Sequence, residues 1–508
     1  MGGKSRMIDI KDRVRCAALH SKIVSAEVAA EAIKPGMNIG TSGFTPAGYP
    51  KAVPLALAEK AKKNPFKVNL WTGASVGAEL DGALATADCV QKRLPYQTSN
   101  EMRNAINSGK VEYTDLHLSH VAQMSRYGFF GGKVDVAIIE ACAITEEGHI
   151  IPTTSVGNSA SYVQSADIVI VEINTTQPIA LEGMHDIYTP LDPPHRLPIP
   201  IVKVDDRIGT TYIPAGPDKI TYIVPCDIMD GVRPLAAIDE DSKAMSANLI
   251  EFFNNEIKHG RLPANLLPLQ SGVGSVANAV VSGLAESPFS DLTVYTEVIQ
   301  DGMFDLIDAG KLRYASGTSL TPSPDGLKRF YENIDTYRQK IVLRPQELSN
   351  SPEMARRLGV IAMNTAIEFD IFGHVNSTHI MGSKMMNGIG GSGDFARNAY
   401  LTIFCSTSTA KKGDISSIVP MFSHFDSTEH DVDVFVTELG VADVRGLSPK
   451  ERAKVIIENC AHPDYKPMLN DYLAGAIKMH GPVHTPHDLC QALSWHCRFL
   501  ETGSMKVK

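Results

Sequence analysis

Two hydrophobic rhythms alternate along the chain. Short unbroken apolar runs, Val134–Ala141 and Asp167–Asn174, are rich in β-branched residues and read as strands buried on both faces, as in a parallel sheet. In the first half, further strands are predicted near Met37–Gly40 and at Val68–Thr72 and Ile220–Val224. Helices are predicted from the Ser25 N-cap to Ile33, stopped by Pro35-Gly36, and over Pro50–Lys62. Residues 175–218 are Pro-rich with weak periodicity, and a charged segment follows at Asp227–Asp241. The second half repeats the alternation. It has helical patterns at Ser242–His259, Val276–Glu286, Asp325–Lys340 and Pro352–Leu358, and three more after Ser448. Its strands are expected at Leu292–Tyr295, Val360–Met363, Leu401–Phe404, Ile418–Met421 and Val432–Thr437. The pattern predicts two tandem α/β domains, residues 1–226 and 227–508.

Composition narrows the picture. With 508 residues, 43% hydrophobic and 21% charged, the chain has ample material for two cores without disulfides or a structural metal. A net charge of −9 argues against a nucleic-acid partner, which requires a basic face. No apolar run reaches the roughly 18 residues of a membrane span. Eight cysteines without a Cys-x-x-Cys pair read as reduced, buried small hydrophobes. The start, Met1-Gly2-Gly3-Lys4-Ser5-Arg6, carries Arg6 where myristoylation wants Ser or Thr, and is too short for a phosphate loop. The expected location is cytoplasmic, or the mitochondrial matrix if a transit peptide precedes this sequence.

Candidate chemistry concentrates in glycine turns. At Leu266–Ala277 an apolar run ends in Gly272-Val273-Gly274-Ser275-Val276-Ala277 and opens a helix, a turn whose backbone N–H groups favour negative charge. Twenty residues after Ala277, at a strand end, lies Glu297. A dinucleotide fold shows the same spacing between its glycine turn and a ribose-binding acid, so an NAD-dependent enzyme, another anion site and a plain strand-to-helix turn all fit. A second cluster, Asn387-Gly388-Ile389-Gly390-Gly391-Ser392-Gly393, follows no β-run, which a dinucleotide fingerprint requires. Two amide-rich loops and a strand-end carboxylate suit acyl transfer better than hydride transfer. A glutamate is ionised above about pH 4.3 and can act as a nucleophile without a base, provided amides stabilise the oxyanion.

Six stretches together resemble the acetyl-CoA hydrolase/transferase family, on its succinyl-CoA:acetate CoA-transferase branch. They are Gly40–Thr45, Thr154–Ser159, Pro268–Gly274, Tyr295–Met303, Asn387–Phe395 and Thr437–Asp443, within a likeness running from about Arg13 to Gly503. The resemblance implies two CoA-transferase-type α/β domains with the active site between them, the second carrying Glu297 as the nucleophile that forms a glutamyl-CoA thioester. It implies an oxyanion hole from the amides of Val273 and Gly391. It places coenzyme A, as substrate rather than bound cofactor, on Leu269, Gln270, Ser271, Gly272, Val273, Asn387, Gly391 and Lys411. Ser75 and Thr98 would receive the small carboxylate, Asn350 and Glu438 would flank the nucleophile, and no metal is expected. The expected partners are acyl-CoA, small carboxylic acids and a second copy in a homodimer. One departure stands out: an arginine-rich segment of related sequences reads here Asp227-Ile228-Met229-Asp230-Gly231-Val232-Arg233, with Arg233 displaced.

Plainer explanations stand beside these. Ser75 and Thr98 sit in turns where hydroxyls commonly bond local backbone, Lys411 adjoins Lys412 as in a solvated pair, and Glu438 could be a strand-end acid in an ion pair. His424, Asp426, Glu429, His430, Asp431 and Asp433 match no metal-site spacing and read as a solvated loop and strand, while His484 and His487 read as helix-start or surface residues. Three rival functions share the features: an acyl-CoA hydrolase using the same intermediate, an NAD-dependent enzyme, and a non-catalytic coenzyme A binder.

Overall fold

The computed structural model describes residues 10–234, 237–272 and 274–507. Val273 and the N-terminal segment around Gly3, Lys4 and Arg6 lie outside them. The chain forms two compact units, and neither is a single run of sequence. The first comprises Met1–Pro234, Thr296–Asp301 and Tyr314–Met354; the second Leu235–Tyr295, Gly302–Arg313 and Ala355–Lys508. A cut at 226/227 therefore differs from the spatial grouping, which puts Glu297 in the first unit. The reason is local pairing: Val298–Ile299 runs parallel to Ser319–Leu320, and Ser319 bridges to Ser155.

The first unit is built on a sheet of β1 (Asn38–Thr41), β2 (Val68–Trp71), β3 (Val90–Leu94), β4 (Glu112–Tyr113), β5 (Val136–Ile144), β6 (Ile150–Pro152), β7 (Ile168–Asn174) and β8 (Tyr222–Cys226). Its order is β4-β3-β2-β1-β5-β7-β8, parallel throughout, with β6 antiparallel against β5. All nine residues of β5 are buried, as a strand covered on both faces must be. Helix Ala52–Lys63 lays Val53, Leu57, Ala58 and Ala61 on a core that includes Val68, Leu70, Val136, Ile138 and Ile170. Ser25 caps its short helix by accepting from Val28 N.

In the second unit, Leu292–Tyr295, Leu269–Ser271, Ile361–Thr365, Leu401–Cys405 and Val434–Thr437 are neighbours in that order, all parallel, with Gly440–Asp443 turning back antiparallel on the last. Helices Pro449–Cys460, Lys466–His480 and Ser494–Thr502 close the chain, contributing Ile456, Leu469 and Trp495 to a core shared with Phe404 and Phe435.

Some sequence expectations differ in detail. The helix expected over Asp325–Lys340 breaks at Asn333, whose side chain bonds back to Arg329 O and caps one helix as the next begins. The strand expected at Ile418–Met421 is only Ile418–Val419, in a separate small sheet. Six cysteines are buried, but Cys490 and Cys497 are exposed because they lie near or on the last helix, where little covers them. Among the described residues, no helix is long and apolar enough to cross a membrane.

Candidate active site

Glu297 follows strand Leu292–Tyr295 by two residues and directly precedes Val298–Ile299. Its backbone is fixed from one side: Thr318 N and Ser319 N both donate to Glu297 O, at 2.8 and 3.1 Å. Gly317 permits this approach, since a Cβ there would lie 3.1 Å from Ile299 Cγ1 and 3.3 Å from Glu297 O. The carboxylate accepts from Asn350 Nδ2 at 2.8 Å, and Ser349 Oγ donates to Asn350 Oδ1 at 2.9 Å, which orients the amide with its NH2 toward the acid. Burial raises the Glu297 carboxyl to about 7, with the Asn350 hydrogen bond pulling the other way. Protein surrounds the carboxyl itself, although the residue as a whole keeps some accessible surface.

Two of the six motif stretches back this acid. Thr154–Ser159 lies along the strand behind it: Leu320 N donates to Thr154 O at 2.8 Å, Val156 N to Thr318 O at 2.9 Å, and Gly157 N to Thr318 Oγ1 at 3.0 Å. Gly40–Thr45 joins through Ser319 Oγ, which donates to Phe44 O at 2.7 Å, and Thr45 N, which donates to Ser75 O at 2.8 Å. Ser75 Oγ and Thr98 Oγ1 share a hydrogen bond of 2.6 Å, so the two hydroxyls do meet. Ala74 packs with Phe44, Leu118 and Val298, and Tyr96 lies against that cluster. These contacts tie the Ser75 and Thr98 turns to the residue after Glu297.

The other candidates belong to the second unit. Leu269 and Gln270 are buried in a strand, and the Gln270 amide is paired with Asn364 in both directions, at 3.2 and 3.1 Å. Gln270 thus presents backbone rather than side chain. Gly272 N donates to Met363 O at 3.1 Å, Ser271 Oγ lies 3.5 Å from Gly272 O, and Gly274, at φ +125°, precedes helix Ser275–Glu286. Asn387 and Gly391 lie in the second glycine loop. Gly391, at φ −88°, caps the short helix Ser392–Ala396, while Gly390 takes the left-handed φ of +59°. Lys411 is exposed, left-handed at φ +48°, with its ammonium 5.3 Å from the Phe499 ring centre. Glu438 sits in the hairpin turn, where its carboxylate accepts from Ser408 N at 2.8 Å and from Ser408 Oγ.

Sequence reasoning missed a buried charge cluster. Lys51, Glu140 and Asp230 have side chains with no exposure, and Lys51 Nζ pairs with both carboxylates, at 2.9 Å for Asp230. Thr154 Oγ1, Gln177 Nε2 and Gly48 N complete the shell of Asp230, at 2.6, 3.0 and 3.1 Å. Burial lifts Glu140 to about 7 against the pull of Lys51. The arginine-poor segment 227–233 is therefore anchored inward through Asp230. The signal available in the sequence was an acid flanked by Met229 and Gly231 rather than by other charges.

Comparison with known proteins identifies the family. The acetyl-CoA hydrolase/transferase N-terminal domain matches residues 7–225 and the C-terminal domain matches residues 326–473. The chain is 60% identical to the succinyl-CoA:acetate CoA-transferase of Clostridium kluyveri over 97% of its own length and 92% of that protein. It is 48% identical to the acetyl-CoA hydrolase of Candida glabrata over 98% of both chains. The crystal structure of RipA from Yersinia pestis shares the fold, with a TM-score of 0.73 at 22% identity, covering 93% of this chain and all of that one. The mixed α/β architecture with parallel sheets, the paired domain matches and the near-full-length identity leave one conclusion, which sets the dinucleotide reading aside. The chain belongs to the acetyl-CoA hydrolase/transferase family.

Proposed function

We propose that the protein moves coenzyme A between a short-chain acyl-CoA and a small carboxylic acid, with succinate and acetate as the acids, through a thioester on Glu297. The observation that carries this reading is the Glu297 carboxyl: desolvated by burial and accepting from the neutral amide of Asn350, at the end of a strand. A largely desolvated carboxylate held by a neutral amide keeps its nucleophilicity.

The cycle runs as follows. A Glu297 oxygen attacks the thioester carbonyl, and the carbon–sulfur bond breaks to give an acyl-glutamyl anhydride and CoA thiolate. The thiolate attacks the glutamyl carbonyl of the anhydride, leaving glutamyl-CoA and releasing the donor acid. The acceptor carboxylate then runs both steps in reverse. Each tetrahedral oxyanion is held by the amides of Val273 and Gly391, and coenzyme A lies along Leu269–Gly272, Asn387 and Lys411. The Ser75–Thr98 pair spends one hydroxyl proton internally and offers the other to the small carboxylate. Holding thiolate beside anhydride is a proximity effect, worth about 7–11 kcal/mol in well-oriented systems.

The named activity of the Candida glabrata relative supports a second reading, hydrolysis, in which water takes the acceptor's place. Free thiol release from acetyl-CoA, measured with and without succinate, separates them. Transfer predicts succinyl-CoA formation that outruns thiol release. Thiol release equally fast without any acceptor acid makes the protein a hydrolase.

A further inference from the structure

Asn350 holds Glu297, so what holds Asn350 matters. It follows a single helical turn, Gln346–Ser349, and its own N–H donates back to Gln346 O at 3.0 Å. Four residues cannot sustain a helix alone. Gln346 is tied by its N–H to Gly157 O at 3.0 Å and by Nε2 to Leu118 O at 2.9 Å. Glu347 receives both arms of Arg126, Nη1 to Oε2 at 2.9 Å and Nη2 to Oε1 at 3.0 Å, with Arg196 Nη1 a further 3.3 Å from Oε1. Arg126 is in turn fixed by Asp192, at 2.7 Å from Nη2, and by Ser161 Oγ at 2.8 Å.

The Arg126 and Glu347 side chains are only 7% and 3% exposed. Buried ion pairs of this kind add little stability over apolar residues of the same size, so stability alone does not account for the pair. A two-pronged guanidinium–carboxylate contact does fix direction. Here it fixes the one turn whose last hydrogen bonds end at Asn350 and, through it, at Glu297.

We propose that Arg126 and Glu347 are positioning residues, which lock the turn Gln346–Ser349 and so aim the Asn350 amide at Glu297. The proposal rests on Glu297 being the nucleophile. Loosening the turn removes a donor from the carboxylate, which raises its pKa and moves the acid limb of activity to higher pH. The ionisable groups on the stretches packed around Glu297 are Asp301, held by Ser323; Arg344, which bonds Ser316 and pairs with Asp186; the Tyr96 phenol; and, beside Leu118, His117. The charges facing the Arg126–Glu347 pair are Asp192 and Arg196.

The test uses the full chain and compares Glu347→Gln, Arg126→Lys, Asn350→Ala and the double variant Glu347→Gln/Asn350→Ala. Acetyl-CoA serves as donor and succinate as acceptor. Glu347→Gln should lower kcat about tenfold or more, leave KM for acetyl-CoA within about twofold, and move the acid limb up by about one pH unit. Arg126→Lys, which keeps charge but loses the fork, should move the limb part of the way, and it carries the test if Glu347→Gln does not fold. In the Asn350→Ala background, Glu347→Gln should move the limb no further. A limb that stays put in both single variants while Asn350→Ala shifts it overturns the proposal, as do fully additive shifts. If Asn350→Ala leaves the limb in place and no acyl or CoA adduct forms on the Glu297 peptide, the nucleophile assignment fails, and this proposal with it.

Discussion

Replacing Glu297 by glutamine should abolish transfer and, above neutral pH, make the protein more stable. Glutamine keeps the shape and still accepts from Asn350, so the change removes charge and little else. The folded state holds the carboxyl at about 7 against an ordinary 4.5 because burial disfavours the charged form. A carboxylate whose folded pKa is raised stabilises the fold below its unfolded pKa, and that stability is lost as pH rises from about 4.5 through about 7. At about 1.4 kcal/mol per pH unit, the wild type should give up as much as about 3 kcal/mol by pH 8, and under about 1 kcal/mol at pH 5. These are upper bounds, since the residue is not fully enclosed. The assay is denaturant unfolding of both proteins at pH 5 and pH 8, where every other titrating group cancels in the difference. The Gln variant's advantage should grow by about 2 kcal/mol between the two pH values. An advantage that is the same at both would refute the claim that burial perturbs this acid.

Two further outcomes follow from other parts of the fold. Lys51→Met leaves Glu140 and Asp230 buried without their cation, and should cost about 3–5 kcal/mol in unfolding experiments, with the loss easing at low pH as Glu140 takes up a proton. Gly391→Val should depress kcat by about 10²–10³ if the Gly391 amide serves the oxyanion, with an unchanged circular dichroism spectrum because φ −88° suits any residue.

Much of the fold was legible because burial writes itself into composition. The β5 and β7 runs have no polar face, which only a sheet covered on both sides tolerates. Ser25 and the Gly274 turn marked helix starts through local chemistry. What could not be read was the grouping of Thr296–Asp301 and Tyr314–Met354 with the first unit, because it depends on Val298–Ile299 pairing with Ser319–Leu320 some 20 residues on. The candidate site divides in the same way. Glu297 stood out by its strand-end position among glycine loops, and the family resemblance pointed to Asn350. Arg126, Glu347 and Lys51 carried no signal, and Asp230 only its uncharged immediate neighbours, since each looks like an ordinary surface charge until its distant partner is known: Arg126 and Glu347 are 221 residues apart in the chain.

The measurement that bears most directly on the account is mass spectrometry of the Glu297 peptide after incubation with acetyl-CoA and borohydride. A thioester on Glu297 is reduced to the alcohol, so the account predicts a peptide lighter than the native one by the carboxyl-to-hydroxymethyl change, formed only with acyl-CoA present and absent from Glu297→Gln. An unmodified Glu297 peptide from protein that is turning over acetyl-CoA and succinate would contradict it.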